Sequence, residues 1–243
     1  MTLLDIVQDI LSNMSSDNVN SINDTEEALQ AARIVRTTYF ELINGGDWPH
    51  LKEMFQLTGL GDTNKPSHMR LPTNVAKVTN IKYNKSETGT IDWSDVFYVD
   101  PEYFLEQQAR LDSTSDTVET VTDPSSILLL IGNDAMPKYY TSFDDDYIVM
   151  NSYLKTVDVT LQQSKTLCTG FREPVFTMVD TFIPDLPSKA FSLLLAECNS
   201  AASVALRNEA NAKEEQRARR QRSWLGTERH RLSNKIGYPN YGR

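Results

Sequence analysis

Residues 184–222 decide the fold of this chain, and they read PDLPSKAFSLLLAECNSAASVALRNEANAKEEQRARRQR. Pro184 and Pro187 end the preceding structure, because proline lacks a backbone N–H and fixes φ. From Ser188 the apolar residues recur at helical spacing, at Phe191, Leu194, Leu195, Cys198, Ala201, Ala202 and Ala205. The pattern predicts one helix from Ser188 to about Arg222, roughly 50 Å long at ~1.5 Å per residue.

The beginning of the chain also has a helical pattern. Apolar residues at helical spacing predict a first helix over residues 2–14. A second helix is predicted to begin at Asp24, with Glu27 at the matching position of a capping box, and to end at Asn44-Gly45-Gly46. A short helical stretch is predicted over residues 48–57. These three elements place most of the first quarter of the chain in helices.

The centre of the chain has the pattern of strands. Short β-branched segments are separated by turn residues, and they cover residues 75–83, 127–131, 147–151, 157–161 and 175–180. One helix interrupts them, with Asp100 as its cap and Pro101 at its first position, and it runs to about Leu111. Residues 112–118 are polar and predict a loop. The short, regular spacing of the strands indicates an antiparallel sheet or small barrel rather than β-α-β units.

Together these patterns predict an α+β protein with four segments. Residues 1–68 form an N-terminal helical part, and residues 69–187 form a mainly antiparallel β-rich domain. Residues 188–222 form the long C-terminal helix, which packs with the N-terminal helices into a helical core. Residues 223–243 form an extended C-terminal tail. A chain of 243 residues is long enough to bury a core of this kind.

Charge divides the chain into two unequal parts. The net charge is −9, yet residues 188–243 carry 11 basic and 5 acidic side chains, a net of +6. Residues 1–187 carry 13 basic and 28 acidic side chains, a net of −15. An acidic body repels nucleic-acid phosphates, so the basic part favours an acidic protein partner. No apolar run reaches the ~18 residues of a membrane span, and we expect no membrane contact.

Side chains that could carry chemistry are few. Asp144-Asp145-Asp146 is the best metal candidate, but successive strand residues point to opposite faces, and we favour a solvated turn. Cys168 and Cys198 are expected to be free and at least partly buried. Cys168 would become a nucleophile only if His50 or His68 approached it. We therefore expect no enzyme, no cofactor and no metal, with a small hydrolase using Asp144 or Cys168 as the alternative.

Basic and aromatic residues accumulate where the apolar stripe ends. A helix end favours cations even when they bind nothing, and nucleic acid is another possible partner of an arginine run. Contact with an acidic protein surface is the favoured explanation, because aromatic residues without a local core are typical interface anchors. The predicted partner-interface residues are Arg217, Arg219, Arg220, Arg222, Trp224, Arg229, Arg231, Tyr238, Tyr241 and Arg243.

Five blocks of sequence, taken in order, carry a resemblance. They are Ala32-Arg33-Ile34-Val35-Arg36 leading to Trp48; Met69-Arg70-Leu71-Pro72 leading to the strand at 75–83; Pro137-Lys138-Tyr139-Tyr140-Thr141-Ser142-Phe143-Asp144 leading to Ile148-Val149; Leu161-Gln162-Gln163-Ser164-Lys165 leading to Ile183-Pro184-Asp185-Leu186-Pro187; and Tyr238-Pro239-Asn240-Tyr241-Gly242-Arg243. Together they resemble the head-to-tail adaptor family of short-tailed bacteriophages, also called tail tubular protein A or head completion proteins.

The resemblance implies a structural role at the head–tail junction of a virion, for a protein made in the host bacterial cytoplasm. In that family twelve copies form a ring beneath the portal protein, continue the DNA channel and present a platform for the next tail component, a nozzle or tail tube. DNA passes through without sequence-specific binding. The resemblance also implies that the C-terminal segment reaches the portal. The opposite charge of residues 217–243, the end of the apolar stripe at Ala205 and the aromatic residues without a local core predict that this segment is partly disordered in the free monomer and becomes ordered on the portal. A stopper or minor tail protein is the leading alternative.

Overall fold

The computed structural model describes residues 1–87, 89–144 and 146–233. The chain forms two compact units: unit 1 comprises Met1–Leu51 with Pro174–Arg243, and unit 2 comprises Lys52–Glu173. The helices are α1 (Leu3–Asn13), α2 (Glu26–Asn44), α3 (Pro101–Gln108), α4 (Phe191–Arg207) and α5 (Ala212–Ser233). The predicted α+β class is confirmed. The predicted bounds of the β-rich part, 69–187, are wrong at both ends, because unit 2 begins at Lys52 and ends at Glu173.

Helices α1 and α2 begin at side-chain caps. Thr2 and Asp5 form a capping box at the start of α1, each side chain accepting from the other residue's backbone N–H, which pairs donors that a helix start leaves free. Helix α2 is capped by Thr25, whose hydroxyl oxygen accepts from the N–H of Ala28 at 3.1 Å. The predicted cap, Asp24, lies one residue too early, and its carboxylate accepts instead from backbone N–H groups of the preceding turn.

The single long helix predicted from Ser188 is wrong, because the chain turns between α4 and α5. Asn208 adopts left-handed backbone angles, φ 54° and ψ 26°, which end α4, and asparagine tolerates this region better than most residues. Helix α5 then continues to Ser233, so the prediction of an extended tail is also wrong over residues 223–233. The rest of the predicted tail, residues 234–243, lies outside the described residues.

Helix α4 packs against α1, α2 and α5 within unit 1. Of the predicted stripe, Leu194, Cys198 and Ala202 are buried, whereas Ala201 and Ala205 are exposed. The buried face therefore lies slightly to one side of the predicted face. No helix in the described part of the chain is both long and apolar enough to cross a lipid bilayer.

Unit 2 is built on an eight-stranded sheet with the order β1-β10-β4-β5-β8-β9-β3-β2, and β6 and β7 form a separate two-stranded sheet. All neighbours in the large sheet are antiparallel except β5 and β8. The strands are β1 (Lys52–Phe55), β2 (Thr58–Gly59), β3 (His68–Arg70), β4 (Val75–Asn84), β5 (Trp93–Tyr98), β6 (Val118–Thr122), β7 (Leu128–Gly132), β8 (Tyr139–Thr141), β9 (Tyr147–Met150) and β10 (Thr166–Arg172).

Three of the predicted strands are confirmed as β4, β7 and β9, and two are wrong. Residues 157–161 form a turn and loop, in which the N–H groups of Val157 and Asp158 both bond the carbonyl of Leu154. Residues 175–180 lie in a segment without strand pairing in unit 1. That segment instead caps the start of α1: the carbonyls of Asp180 and Phe182 accept hydrogen bonds from the first N–H groups of that helix.

Other local predictions need correction. The helical stretch predicted over residues 48–57 is a short 3₁₀ turn, Pro49–Leu51, followed by β1, which pairs with β10. The loop predicted over residues 112–118 ends at the first residue of β6. The helix predicted after Pro101 is confirmed as α3, although it stops at Gln108 and Asp100 makes no side-chain cap.

Candidate functional site

Helix α5 carries most of the predicted interface residues, and local contacts determine where it starts. The side-chain oxygen of Asn211 accepts from the N–H of Glu214 at 3.2 Å, as a helix cap does. Glu214 and Glu215 lie in the first turn, where negative charge is favoured by the helix dipole. Over all 22 residues, the sequence of α5 has seven basic and three acidic side chains.

Few side chains of α5 are buried. Among the described ones, Ala218 and Leu225 are buried, at 2% and 6% exposed. The guanidinium of Arg222 lies 2.8 Å from the carboxylate of Glu197 on α4, and the ammonium of Lys189 lies 5.6 Å from the centre of the Trp224 ring. Exposed ion pairs of this kind contribute at most about 1 kcal/mol. The helix thus keeps a large solvent-facing surface, which we call the α5 face: Arg217, Arg219, Arg220, Arg222 and Trp224.

The arginines of the α5 face are partly neutralised by neighbours on the same helix. Arg217 pairs with Glu214 at 3.5 Å, and Arg219 pairs with Glu215 one turn away. Arg220 donates to the side-chain oxygen of Gln216 at 2.9 Å. Such pairs stabilise a helix by roughly 0.2–0.5 kcal/mol each. They hold the side chains in place but are weak enough to be exchanged for a partner's carboxylates.

The remaining predicted interface residues are not brought together by the described structure. Arg229 and Arg231 lie on the last turns of α5, where the structure describes the backbone. Tyr238, Tyr241 and Arg243 lie outside the described residues. Residues 217–243 were predicted to become ordered on a partner. The part of this segment up to Ser233 is already helical in the single chain.

Local hydrogen bonds hold the described part of the acidic triplet, Asp144 and Asp146. The Asp144 carboxylate accepts from the N–H groups of Asp146, at 3.1 Å, and Tyr147, at 3.0 Å. This is the local bond by which aspartate stabilises turns, and Asp145 lies outside the described residues. Within the described residues, no group of three or more His, Cys, Asp or Glu side chains is arranged to hold a metal ion.

Unit 2 encloses a polar cluster that the sequence did not predict. The Nε2 atom of His68 lies 3.0 Å from the carboxylate of Asp123, and both side chains are almost fully buried. The other carboxylate oxygen of Asp123 accepts from the backbone N–H and hydroxyl of Ser125. Ser67 Oγ lies 3.4 Å from His68 Nδ1, at the weak end of hydrogen bonding. Asp123 is far from His68 in sequence, so no local motif announces the pair.

Burial and hydrogen bonding set the charge states of this cluster. Burial lowers the pKa of His68 below its ordinary value, against the opposing effect of Asp123. Burial raises the pKa of Asp123, but bonds from Ser125 and His68 outweigh it and the net shift is downward. The cluster therefore contains a neutral imidazole that donates to a carboxylate.

The cluster contains the three residue types of a Ser–His–Asp catalytic triad in a different arrangement. In such a triad the carboxylate holds Nδ1 and the serine meets Nε2, whereas here the two contacts are reversed. Ser67 is also 0% exposed, so its hydroxyl does not face solvent. The geometry indicates a structural role, joining β3 to the turn that follows β6.

Both cysteines are free and buried, as predicted. Burial raises the pKa of Cys168 to about 12 and that of Cys198 to about 12. A thiol with so high a pKa is almost entirely protonated at neutral pH, and the thiol form is a poor nucleophile. Cys168 accordingly fits the core of unit 2 better than an active site.

No known protein-family model matches this chain, and no curated protein matches it either. Among the surfaces of the described residues, the α5 face has the clearest binding chemistry, with four arginines and one tryptophan exposed on a single helix.

Proposed function

We propose that this chain is a virion structural protein: a ring-forming head-to-tail adaptor that links a portal protein to the next tail component and continues the DNA channel. In this proposal it has no catalytic role, and it belongs to the head–tail junction. The α5 face is the partner interface. The other class considered, a small hydrolase, has its two candidate residues in a turn and in a buried core.

The observation that carries the proposal is the α5 face. Helix α5 packs against α4, yet only two of its described side chains are buried, so most of its described side chains remain available to a partner. Arginine and tryptophan are the residue types most enriched among interface hot spots. An exposed, basic, tryptophan-bearing helix is therefore well suited to an acidic protein surface.

Two further features support the adaptor role over a nucleic-acid binder. Unit 2 has 18 acidic and 11 basic residues, and a negative surface lets DNA pass without being held. The second and third blocks of the resemblance also fall on one part of the fold, since they include β3, β8 and the start of β9, which are adjacent strands. Residues that are scattered in sequence thus lie on neighbouring strands of one sheet, where Met69, Ile148 and Val149 belong to the core of unit 2.

Charge reversal on α5 tests the proposal. The double variant Arg219→Glu/Arg220→Glu should abolish binding to portal rings from the same phage while leaving the melting temperature within a few degrees of wild type. The matched control is Arg110→Glu, an exposed arginine in unit 2 with an equivalent ion pair one turn away, and it should bind normally. Native mass spectrometry of the chain alone and mixed with portal rings measures both assembly and binding.

Two outcomes would contradict the proposal. The first is a double variant that binds portal rings as well as wild type. The second is strong binding of the isolated protein to duplex DNA that weakens steeply with salt, which is typical of proteins that contact many phosphates and would favour a nucleic-acid binder.

A further inference from the structure

Unit 2 contains a cavity of about 250 Å³ beside α3. We call it the α3 cavity. Its apolar wall includes Val99, Phe104 and Met136, and its polar groups include Gln108 and Asp134. Pockets that hold whole drug-sized ligands usually measure about 300–1,000 Å³. The α3 cavity is therefore of the size to hold one large side chain rather than a cofactor.

The cavity is lined by a buried glutamine whose side-chain oxygen has no hydrogen-bond partner among the described residues. This residue, Gln108, is 5% exposed. A buried polar atom without a partner costs about 1–3 kcal/mol, and such atoms are rare in native proteins. Because Gln108 lines the cavity, a bound group could supply the missing bond.

The mouth of the cavity is aromatic and exposed. Tyr103 and Tyr139 line it and are 49% and 42% exposed. Phe97 is the register partner of Tyr139 and is 62% exposed. Exposed aromatic side chains grouped around a pocket are typical of protein–protein contact sites.

The side chain that best satisfies the Gln108 amide is a tyrosine, because of its phenol hydroxyl. The orientation of a glutamine amide is inferred from its surroundings, so the unpartnered group is either an acceptor or, with the amide turned over, a donor. A tyrosine hydroxyl both donates and accepts, and it satisfies either orientation, whereas a tryptophan N–H satisfies only one. The tyrosine ring would pack on the apolar wall, and its hydroxyl would reach Gln108.

We propose that the α3 cavity binds a tyrosine side chain from residues 234–243 of a second copy of this chain. That segment contains Tyr238 and Tyr241, together with Lys235 and Arg243 and no acidic residue. Its positive charge complements unit 2, where acidic residues outnumber basic ones by seven, and Asp134 lies in the cavity itself. Ten residues after Ser233 can span up to roughly 35 Å when extended, which is enough to reach a neighbouring molecule.

The inference rests on the proposed ring, because it needs copies side by side. It divides the interface between two surfaces: the α5 face meets the portal, and residues 234–243 join neighbouring copies. This arrangement would make each copy hold the next through a contact repeated around the ring.

Photo-cross-linking of the full-length chain tests the inference. Benzoylphenylalanine replaces Pro239 in one sample and Asn240 in another, which keeps both tyrosine hydroxyls, and isotopically heavy and light copies are mixed in equal amounts before irradiation. At least one position should give heavy–light cross-links to peptides that contain Tyr103 or Tyr139. Gln108→Leu should lower the yield roughly tenfold, the effect of one lost hydrogen bond of about 1.5 kcal/mol. Gln162→Leu, on an exposed glutamine of unit 2 that does not line the α3 cavity, is the matched control and should leave the yield unchanged.

The stability of the same variants separates binding from a structural role. Gln108→Leu removes an unpartnered buried atom, so the free protein should melt at the same or a higher temperature. A lower melting temperature together with an unchanged cross-link yield would overturn the inference, since Gln108 would then act only within its own fold.

The remaining outcomes separate the inference from the proposed function. Cross-links confined to single chains, or formed only with surfaces away from the α3 cavity, overturn the inference even if portal binding through α5 is intact. Heavy–light cross-links at the cavity in a protein that ignores portal rings support the inference and reject the adaptor role.

Discussion

Unit 1 buries its apolar residues on helices, whereas unit 2 buries them on strands and encloses a hydrogen-bonded imidazole and carboxylate among them. In a helix each backbone group bonds a residue four positions away. In unit 2 the backbone of β10 bonds β1 and β4, both far away in sequence. Substitutions in unit 1 should therefore change the free energy of unfolding mainly by changing the volume of buried side chains. Substitutions in unit 2 should change it by breaking buried polar contacts or by forcing closely packed backbone segments apart.

The largest expected effect lies in the polar cluster of unit 2. His68→Leu leaves the buried Asp123 carboxylate without its imidazole donor, and depriving a buried charged group of a hydrogen bond costs about 3 kcal/mol or more. Urea denaturation would measure the loss. The double variant His68→Leu/Asp123→Leu removes the stranded carboxylate, so it should be more stable than the single variant. A double variant less stable than His68→Leu would show that the pair is not the source of the effect.

The same cluster makes stability depend on pH with a definite sign. The pKa of His68 is lower in the folded protein than in the unfolded chain, so near and below pH ~6.5 the unfolded chain binds a proton that the folded protein does not. The contribution of His68 is fully present above that pH and is lost as pH falls. Acidification from pH 7 to pH 5 should destabilise wild type more than His68→Leu. Equal losses in the two proteins would place the sensitivity elsewhere.

The next prediction tests whether the stability of unit 1 depends on the volume of its buried side chains. Leu194 on α4 is 0% exposed, and truncating a buried leucine to alanine typically costs about 2–5 kcal/mol because a cavity remains. Val204→Ala, on the same helix at a residue that is 53% exposed, should change the free energy of unfolding by less than ~0.5 kcal/mol. If Leu194→Ala leaves the thermal midpoint unmoved, α4 does not support the core of unit 1.

A matched pair of glycines compares the two units directly. A Cβ at Gly170 on β10 would lie 2.3 Å from the carbonyl oxygen of Lys77, in a stretch where the register with β4 is shifted. Gly170→Ala should destabilise the protein by about 1–3 kcal/mol or more, because backbone must move.

The matched control lies on α5. A Cβ at Gly226 meets nothing within 4 Å, so Gly226→Ala should stabilise its helix by roughly 0.5–1 kcal/mol. Changes of the same sign at both glycines would remove this contrast between the units. Chemical denaturation of both variants measures it.

The smallest expected effect concerns the turn between α4 and α5. Asn208 holds a left-handed conformation, which costs a residue with a Cβ roughly 1–2 kcal/mol and which asparagine adopts more readily. Asn208→Ala should therefore lower stability by about 1 kcal/mol, and Asn208→Gly should be neutral or stabilising. Circular dichroism melts of both variants test this. If alanine is harmless, the two helices can join into the single helix that the apolar period alone predicts.

The helices show which structural features can be predicted from residues that are close together in the sequence. The first helix and the helix that follows Pro101 were predictable because caps and apolar spacing lie within a few residues of each other. The break after α4 depends on Asn208 and Asn211, whose preferences for a left-handed turn and a cap are local but weaker than the apolar period around them. In the candidate interface, the arginines of α5 were found from charge alone, but their pairing with Glu214, Glu215 and Glu197 required the helix phase and the packing of α4.

Four features were predictable from the amino-acid sequence, because each depends on composition or on neighbours along the chain: the α+β class, the α1 helix, the charge asymmetry and the basic character of α5. Three features became apparent only in the folded chain: the identity of β10, the His68–Asp123 pair and the α3 cavity with its unpartnered Gln108. Strand pairing and buried polar contacts join residues that are distant in sequence, and their free energy depends on burial. Neither the pairing of distant strands nor the burial of polar groups is present until the chain has folded.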